Sequence, residues 1–365
     1  MKREFDRKLV LEDGTEYFGY AFGDKTAERV TEIVFNTSMV GYQEIISDPS
    51  CLNQTVVMTY PLIGNYGTAD EDFESRNPNI GGLVVREYNN TPSNFRYTKT
   101  LSEILEEHHI PGISGIDTRK LTRFIRDNGS CRSIITSVET PTEKAVHMMK
   151  TAPVRHDEVS QVSCKKRWYS RTYRHKYSVV VVDFGVPLSM IRNLTARGCN
   201  ITVVPWDTSA EEIIAMAPDG ILLSDGPGDP TDIPGAAELV KKLTGSAPIV
   251  GVGLGCQLIS LAYGAKTYKM SCGHRGPNHP VRNLSNDRIE IVSQNHGYSI
   301  EADSVYGTGL EVTHVDVLDN TVEAVESKAD GVFGVLFYPE SSSATEECPC
   351  AFDKFVSMME DKINA

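Results

Sequence analysis

No stretch of the 365-residue chain is long and apolar enough to span a bilayer. The amino-terminal MKREFDRKLVLEDGTEYFGY also has no uninterrupted apolar segment of signal-peptide length. A cytoplasmic protein with no membrane anchor is the expectation. Positive charge is in deficit as well: 36 Lys and Arg face 49 Asp and Glu, for a formal charge of −13. That balance argues against a general affinity for nucleic acid or for anionic membrane. One basic, aromatic run, CKKRWYSRTYRHKY from Cys164 to Tyr177, departs from it. It is short and lies between two differently organised regions, as a solvated linker or a partner-facing segment would.

Paired cysteine motifs are lacking too. The eight cysteines, at 51, 131, 164, 199, 256, 272, 348 and 350, follow no disulfide framework and read as reduced thiols, several of them buried. Neither Cys348-Pro-Cys350 nor the group Cys272, His274 and His279 has the repeated CxxC spacing of a structural zinc site, so no metal is expected. No Walker loop and no kinase-type motif is present, which leaves the chain without a recognisable ATP site.

What is present is enough sequence for two domains. Residues 1–154 read as a mixed α/β domain: KLVLEDGTEYFGYAFG alternates apolar and polar residues around Asp13-Gly14, a hairpin signal. TLSEILEEHHIPGISGIDTRKLTRFIRDNG reads as helix, loop, helix, the second helix stopping at Asn128-Gly129. Residues 155–177 read as a linker. From 178 to 365 the rhythm changes to buried strands alternating with helices: SVVVVDF, NITVVPW, GILLSDGPGDP and PIVGVG, then shorter strands from RIEIVSQNHGYSI to GVFGVLFYPE, and a closing helix CAFDKFVSMMEDKIN. This is the pattern of a doubly wound α/β domain. Ligands of such sheets bind beyond the carboxyl ends of the strands, which selects three loops: Asp225 to Gly228, Gly251 to Cys256, and Tyr338-Pro339-Glu340.

The glycine-rich GVGLGCQ, Gly251 to Gln257, follows one of those strands and opens a helix. A dinucleotide loop needs G-x-G-x-x-G on the first strand of its domain, and this run has neither the spacing nor the place. Two readings stay open on the stretch alone. One is a nucleophile elbow, whose strained turn needs small neighbours and aims a reactive side chain at a helix N-terminus. The other is a tight turn that uses glycines for steric reasons only. The middle position of the elbow is Gly253, which has no side chain.

The first half carries VFNTSMVGYQEIISDPS, TYPLIGNYGT and GISGIDTRKLTRFIRDNG, and the second VVDFG, LLSDGPGDP, GLGCQLISLAYGAKTYKM, GHRGPNHPV and SQNHGY. On these motifs, across nearly its whole length, the sequence resembles the small subunit of carbamoyl phosphate synthase, whose C-terminal half is a class I, triad-type glutamine amidotransferase. The family implies hydrolysis of glutamine to glutamate and ammonia, with the ammonia passing through a tunnel to a large subunit. That partner uses ATP and Mg to make carbamoyl phosphate for arginine and pyrimidine synthesis; the small subunit itself needs no cofactor. Carried over residue by residue, the glutamine pocket comprises Ser50, Gly226, Gly228, Leu254, Gln257, Asn295, Gly297 and Tyr298.

The catalytic residues do not carry over. The family elbow G-[IV]-C-L-G-H-Q reads here Gly251-Val252-Gly253-Leu254-Gly255-Cys256-Gln257, so the nucleophilic Cys has become Gly253 and a His has become Cys256. The family's His-Pro-Glu reads Tyr338-Pro339-Glu340: the base position holds Tyr338, and only the orienting carboxylate, Glu340, remains. The unperturbed pKa of tyrosine, about 10, makes Tyr338 a poor base at neutral pH. Cys256 lies about 4.5 Å along the helix axis from position 253 and faces another way. His296 has a counterpart alongside the true base in active relatives and is read as structural. The expectation is a small subunit without glutaminase activity of its own. Two alternatives are a non-enzymatic glutamine-binding or regulatory paralogue and an active glutaminase whose nucleophile has moved to Cys256.

Overall fold

A computed structural model describes residues 4–339 and 351–364. The chain forms two compact units: one of residues 1–155 with Ser271–Arg275, the other of 156–270 with 276–365.

The first unit is built on a closed seven-stranded barrel. The hairpin expected around Asp13-Gly14 joins Arg7–Leu11 to Glu16–Gly23, with Leu9 opposite Tyr17. Arg7–Leu11 also pairs along its other edge with Cys131–Ser137, and this contact between the two ends of the domain closes the barrel. Closure removes the exposed strand edges that an open sheet would present. Leu9, Leu11, Ile33, Val57, Val84 and Ile113 pack in one apolar cluster with Leu121 and Ile125 of a flanking helix. The stretch expected as helix, loop, helix needs one correction. Helices Leu101–Glu107 and Thr118–Asn128 form, but Pro111–Ser114 between them is a barrel strand, paired with Glu16–Gly23 and Gly82–Val84. Four residues are too few to show an alternating pattern; their strand identity comes from neighbours distant in sequence. The second helix ends as expected at Gly129, which has φ 89° and whose N–H donates to Ile125 O.

The second unit is a ten-stranded sheet with parallel strands at its centre, in the order Cys199–Pro205, Tyr177–Asp183, Gly220–Leu223, Ile249–Val252, Val332–Val335. The continuous apolar runs are explained by burial on both faces. Along Tyr177–Asp183, Val180 and Val182 enter one cluster while Tyr177, Val179 and Val181 enter the other. Ile221, Leu223 and Ile249 repeat the first set; Leu222, Val250 and Val252 repeat the second. Each such side chain contributes about 1.5–3 kcal/mol on burial, so the central strands hold the sheet and leave their carboxyl ends free to present loops. The segment 155–177 contains a short helix, Glu158–Val162, and an edge strand, Trp168–Ser170, which pairs antiparallel with Cys199–Pro205. Thr267–Asn283 is a 17-residue strand that sequence pattern had not disclosed, because Gly273, Gly276, Pro277 and Pro280 interrupt its periodicity.

Among the described residues no helix is long and apolar enough to cross a membrane. The six described cysteines are all free thiols; Cys348 and Cys350 lie outside the described residues.

Candidate functional site

Three neighbouring parallel strands end side by side. Leu223 pairs with Gly251, and Val252 pairs with Val335, so the loops beginning at Ser224, Gly253 and Leu336 leave the same edge of the sheet. They correspond to the three loops selected from the sequence; the helix Leu254–Ala262 starts directly after Gly253, and the first loop reaches its N-terminus through Asp225, whose Oδ1 accepts from Leu254 N–H.

The turn at position 253 has elbow geometry. Gly253 has φ 52° and ψ −112°, a backbone region where an L side chain is strained at a cost of about 1–3 kcal/mol. Its N–H donates to Val335 O at 2.8 Å, and its carbonyl accepts from the N–H groups of Cys256 at 3.1 Å and Gln257 at 3.2 Å. Gly255 must also be small: a Cβ there would come within 2.2 Å of Leu223 O. The scaffold of a nucleophile elbow is therefore intact, and the position it would present carries no side chain.

Asp225 fills that space. A Cβ built on Gly253 would lie 2.1 Å from Asp225 Oδ1 and 2.4 Å from its Cγ. Asp225 is buried, and its Oδ1 accepts from Gly226 N–H at 2.8 Å and Leu254 N–H at 3.0 Å. Hydrogen bonds of this kind contribute about 0.5–1.5 kcal/mol each. The sequence had placed Asp225 in a site loop without giving it a role. The signal available was an acid at one strand end facing a residue without a side chain at the next.

Cys256 is not placed for chemistry. It is fully buried, and its Sγ packs 2.7 Å from where a Cβ on Gly334 would lie, on the strand beneath the helix. Burial, with the Glu323 carboxylate nearby adding to it, pushes the thiol above its ordinary pKa and disfavours the thiolate. Burial and the raised pKa both count against a nucleophile relocated to Cys256.

Of the residues expected in the site, Asn295, Gly297 and Tyr298 lie on the strand Arg288–Ile300, and Tyr338 lies in the loop after Val335. Asn295 Nδ2 donates to Tyr338 Oη at 3.3 Å, and Tyr338 N–H donates to Ser293 O at 2.9 Å. Gln257 Nε2 donates to Tyr298 O at 3.0 Å, which ties the helix to the segment containing half-buried Gly297. His296 is buried. Its Nδ1 lies 3.0 Å from Tyr298 O and its Nε2 lies 3.6 Å from Glu323 Oε2.

Gly226 lies within the site as an N–H donor, while Gly228, two residues on, is exposed with φ 89°. Ser50 belongs to the first unit, in the short turn Pro49–Cys51, where its N–H and Oγ both donate to Asp48 Oδ1 at 2.9 and 2.7 Å. Glu340 lies outside the described residues.

Comparison with known proteins agrees with this layout. Residues 9–135 match the family described as carbamoyl-phosphate synthase small chain, CPSase domain, and residues 180–358 match glutamine amidotransferase class-I. The carbamoyl phosphate synthase small chain of Staphylococcus epidermidis is 49% identical over 355 residues, covering 97% of this chain and 96% of that one. The Fusobacterium nucleatum small chain is 46% identical over 359 residues, covering 98% and 99%. The Bacillus cereus small chain is 48% identical over 355 residues, covering 97% and 96%.

Proposed function

This chain belongs to the carbamoyl phosphate synthase small chain family, with a class I glutamine amidotransferase domain in its second half, and we propose that it fills the small-subunit place without hydrolysing glutamine. In this reading it pairs in the cytoplasm with a large ATP-dependent subunit and contributes structure and an ammonia path to carbamoyl phosphate synthesis. Carbamoyl phosphate then feeds arginine or pyrimidine formation. ATP and Mg belong to the large subunit.

The observation that carries the proposal is the elbow itself. Amide hydrolysis of this type needs a thiol at the elbow, a base within hydrogen-bond reach of it, and donors for the oxyanion. The donors are present as Leu254 and Gly226 N–H groups, but position 253 is glycine, position 338 is tyrosine, and a carboxylate stands between the donors and any incoming carbonyl. L-Glutamine remains the ligand class that Gln257, Asn295 and Tyr298 suit.

Glutamate release by the purified chain is the direct test. The expected result is a rate at background that thiol reagents do not change. Turnover typical of a working amidotransferase, abolished by a thiol reagent, would refute the proposal.

A further inference from the structure

The N–H of the residue after an elbow nucleophile and an N–H from a second strand-end loop are the donors that normally hold the oxyanion of acyl transfer. Here Leu254 N–H and Gly226 N–H stand in those two places, and both point at one atom, Asp225 Oδ1, at 3.0 and 2.8 Å. Their convergence on a single oxygen defines an anion seat. The bonded oxygen belongs to a buried carboxylate of the chain itself, and the same carboxylate lies 2.1–3.0 Å from where the first side-chain atom of residue 253 would be.

We propose that Asp225 is an internal stopper: its carboxylate is the resident anion of the oxyanion seat and excludes both a side chain at position 253 and a substrate carbonyl from it. The inference deepens the reading of an inactive glutaminase site. It assigns the block to a group that is present, in addition to the two that are missing. Asp225 also caps the helix Leu254–Ala262, because it takes the first free N–H of that helix. An ordinary cap next to the elbow would leave the nucleophile's room open, and this one closes it.

The stopper makes Gly253 and Asp225 interdependent. Gly253→Cys alone must either displace the Asp225 side chain from its two backbone hydrogen bonds or push the backbone of the turn. Asp225→Ala empties the seat and removes the conflict.

Gly253→Cys, Asp225→Ala and the pair are made in the full chain. Thermal midpoints are measured, and alkylation of residue 253 by iodoacetamide is located by peptide mass spectrometry. Gly253→Cys alone lowers the midpoint by about 5 °C or more, and Asp225→Ala recovers most of that loss. Residue 253 in the pair is alkylated at least ~10-fold faster than in Gly253→Cys alone, on the scale of a misplaced group. Equal midpoints and equal labelling with and without Asp225 would overturn the proposal.

If Gly253→Cys does not fold, Asp225→Ala alone decides. Added formate, a carboxylate of matching size, raises the midpoint of Asp225→Ala and leaves the parent chain unmoved. The same response in both, or none in either, contradicts an anion seat. These readouts do not involve glutamine turnover, so failure here and failure of the inactive-subunit reading are separable.

Discussion

The Asp225 carboxylate and the missing side chain of Gly253 occupy one space: Oδ1 lies 2.1 Å from where a Cβ on Gly253 would be, while accepting from Gly226 and Leu254 N–H groups. A glycine at the elbow removes the thiol and the strain of holding it at φ 52°. The acid on the next loop uses the room that glycine leaves.

Restoring chemistry therefore takes more than one substitution. Gly253→Cys, Asp225→Ala and Tyr338→His combined supply a thiol, an open oxyanion seat and a base. A positioned base contributes about 10²–10⁴-fold, so the triple variant releases glutamate at least ~100-fold faster than the pair lacking Tyr338→His. A coupled glutamate assay checks this, and equal rates in the pair and the triple would contradict the assignment of position 338.

Cys256 behaves as a core residue. Its buried thiol, with an ionisation pushed far above the usual range, escapes iodoacetamide at pH 8 in the native chain and reacts once the chain is unfolded in urea. Cys256→Ala destabilises by about 1–3 kcal/mol, read as a shift in urea midpoint, with no change in any glutamate release. Rapid native labelling at Cys256 would reopen the relocated-nucleophile alternative.

The first unit carries its own pH signature. Asp24 accepts from Thr26 N–H at 2.8 Å, Thr26 Oγ1 at 2.8 Å and Ala27 N–H at 3.0 Å, and its Oδ2 lies 2.9 Å from His109 Nδ1. The Thr26 backbone bond first, then the His109 and Thr26 side chains, hold its carboxyl well below the ordinary range. A depressed carboxyl contributes stability that is fully present above its unfolded pKa, near ~3.9, and is lost as the pH falls through the folded value. Asp24→Asn is accordingly less stable than the parent at pH 7, and the two converge toward pH 2 in urea titrations. A constant gap across that window would contradict the sign.

Much of the second unit was legible in sequence because burial on both faces forces uninterrupted β-branched runs. SVVVVDF, GILLS and PIVGVG thus marked central strands, and the loops after the last two were among those that marked the site. Barrel closure was not legible: Arg7–Leu11 meets Cys131–Ser137 over more than 120 residues, and no local pattern records that pairing. Gly253 and Tyr338 were visible as departures from a motif. The contact of Asp225 with position 253 was not, because it exists only where the ends of two neighbouring strands come together.

The central claim is best tested on the intact assembly, by co-purifying the chain with its large subunit and measuring carbamoyl phosphate formation from ammonium and from glutamine. The account predicts synthesis with ammonium, and with glutamine a background rate and no glutamate. Glutamine-dependent synthesis with stoichiometric glutamate release would contradict it.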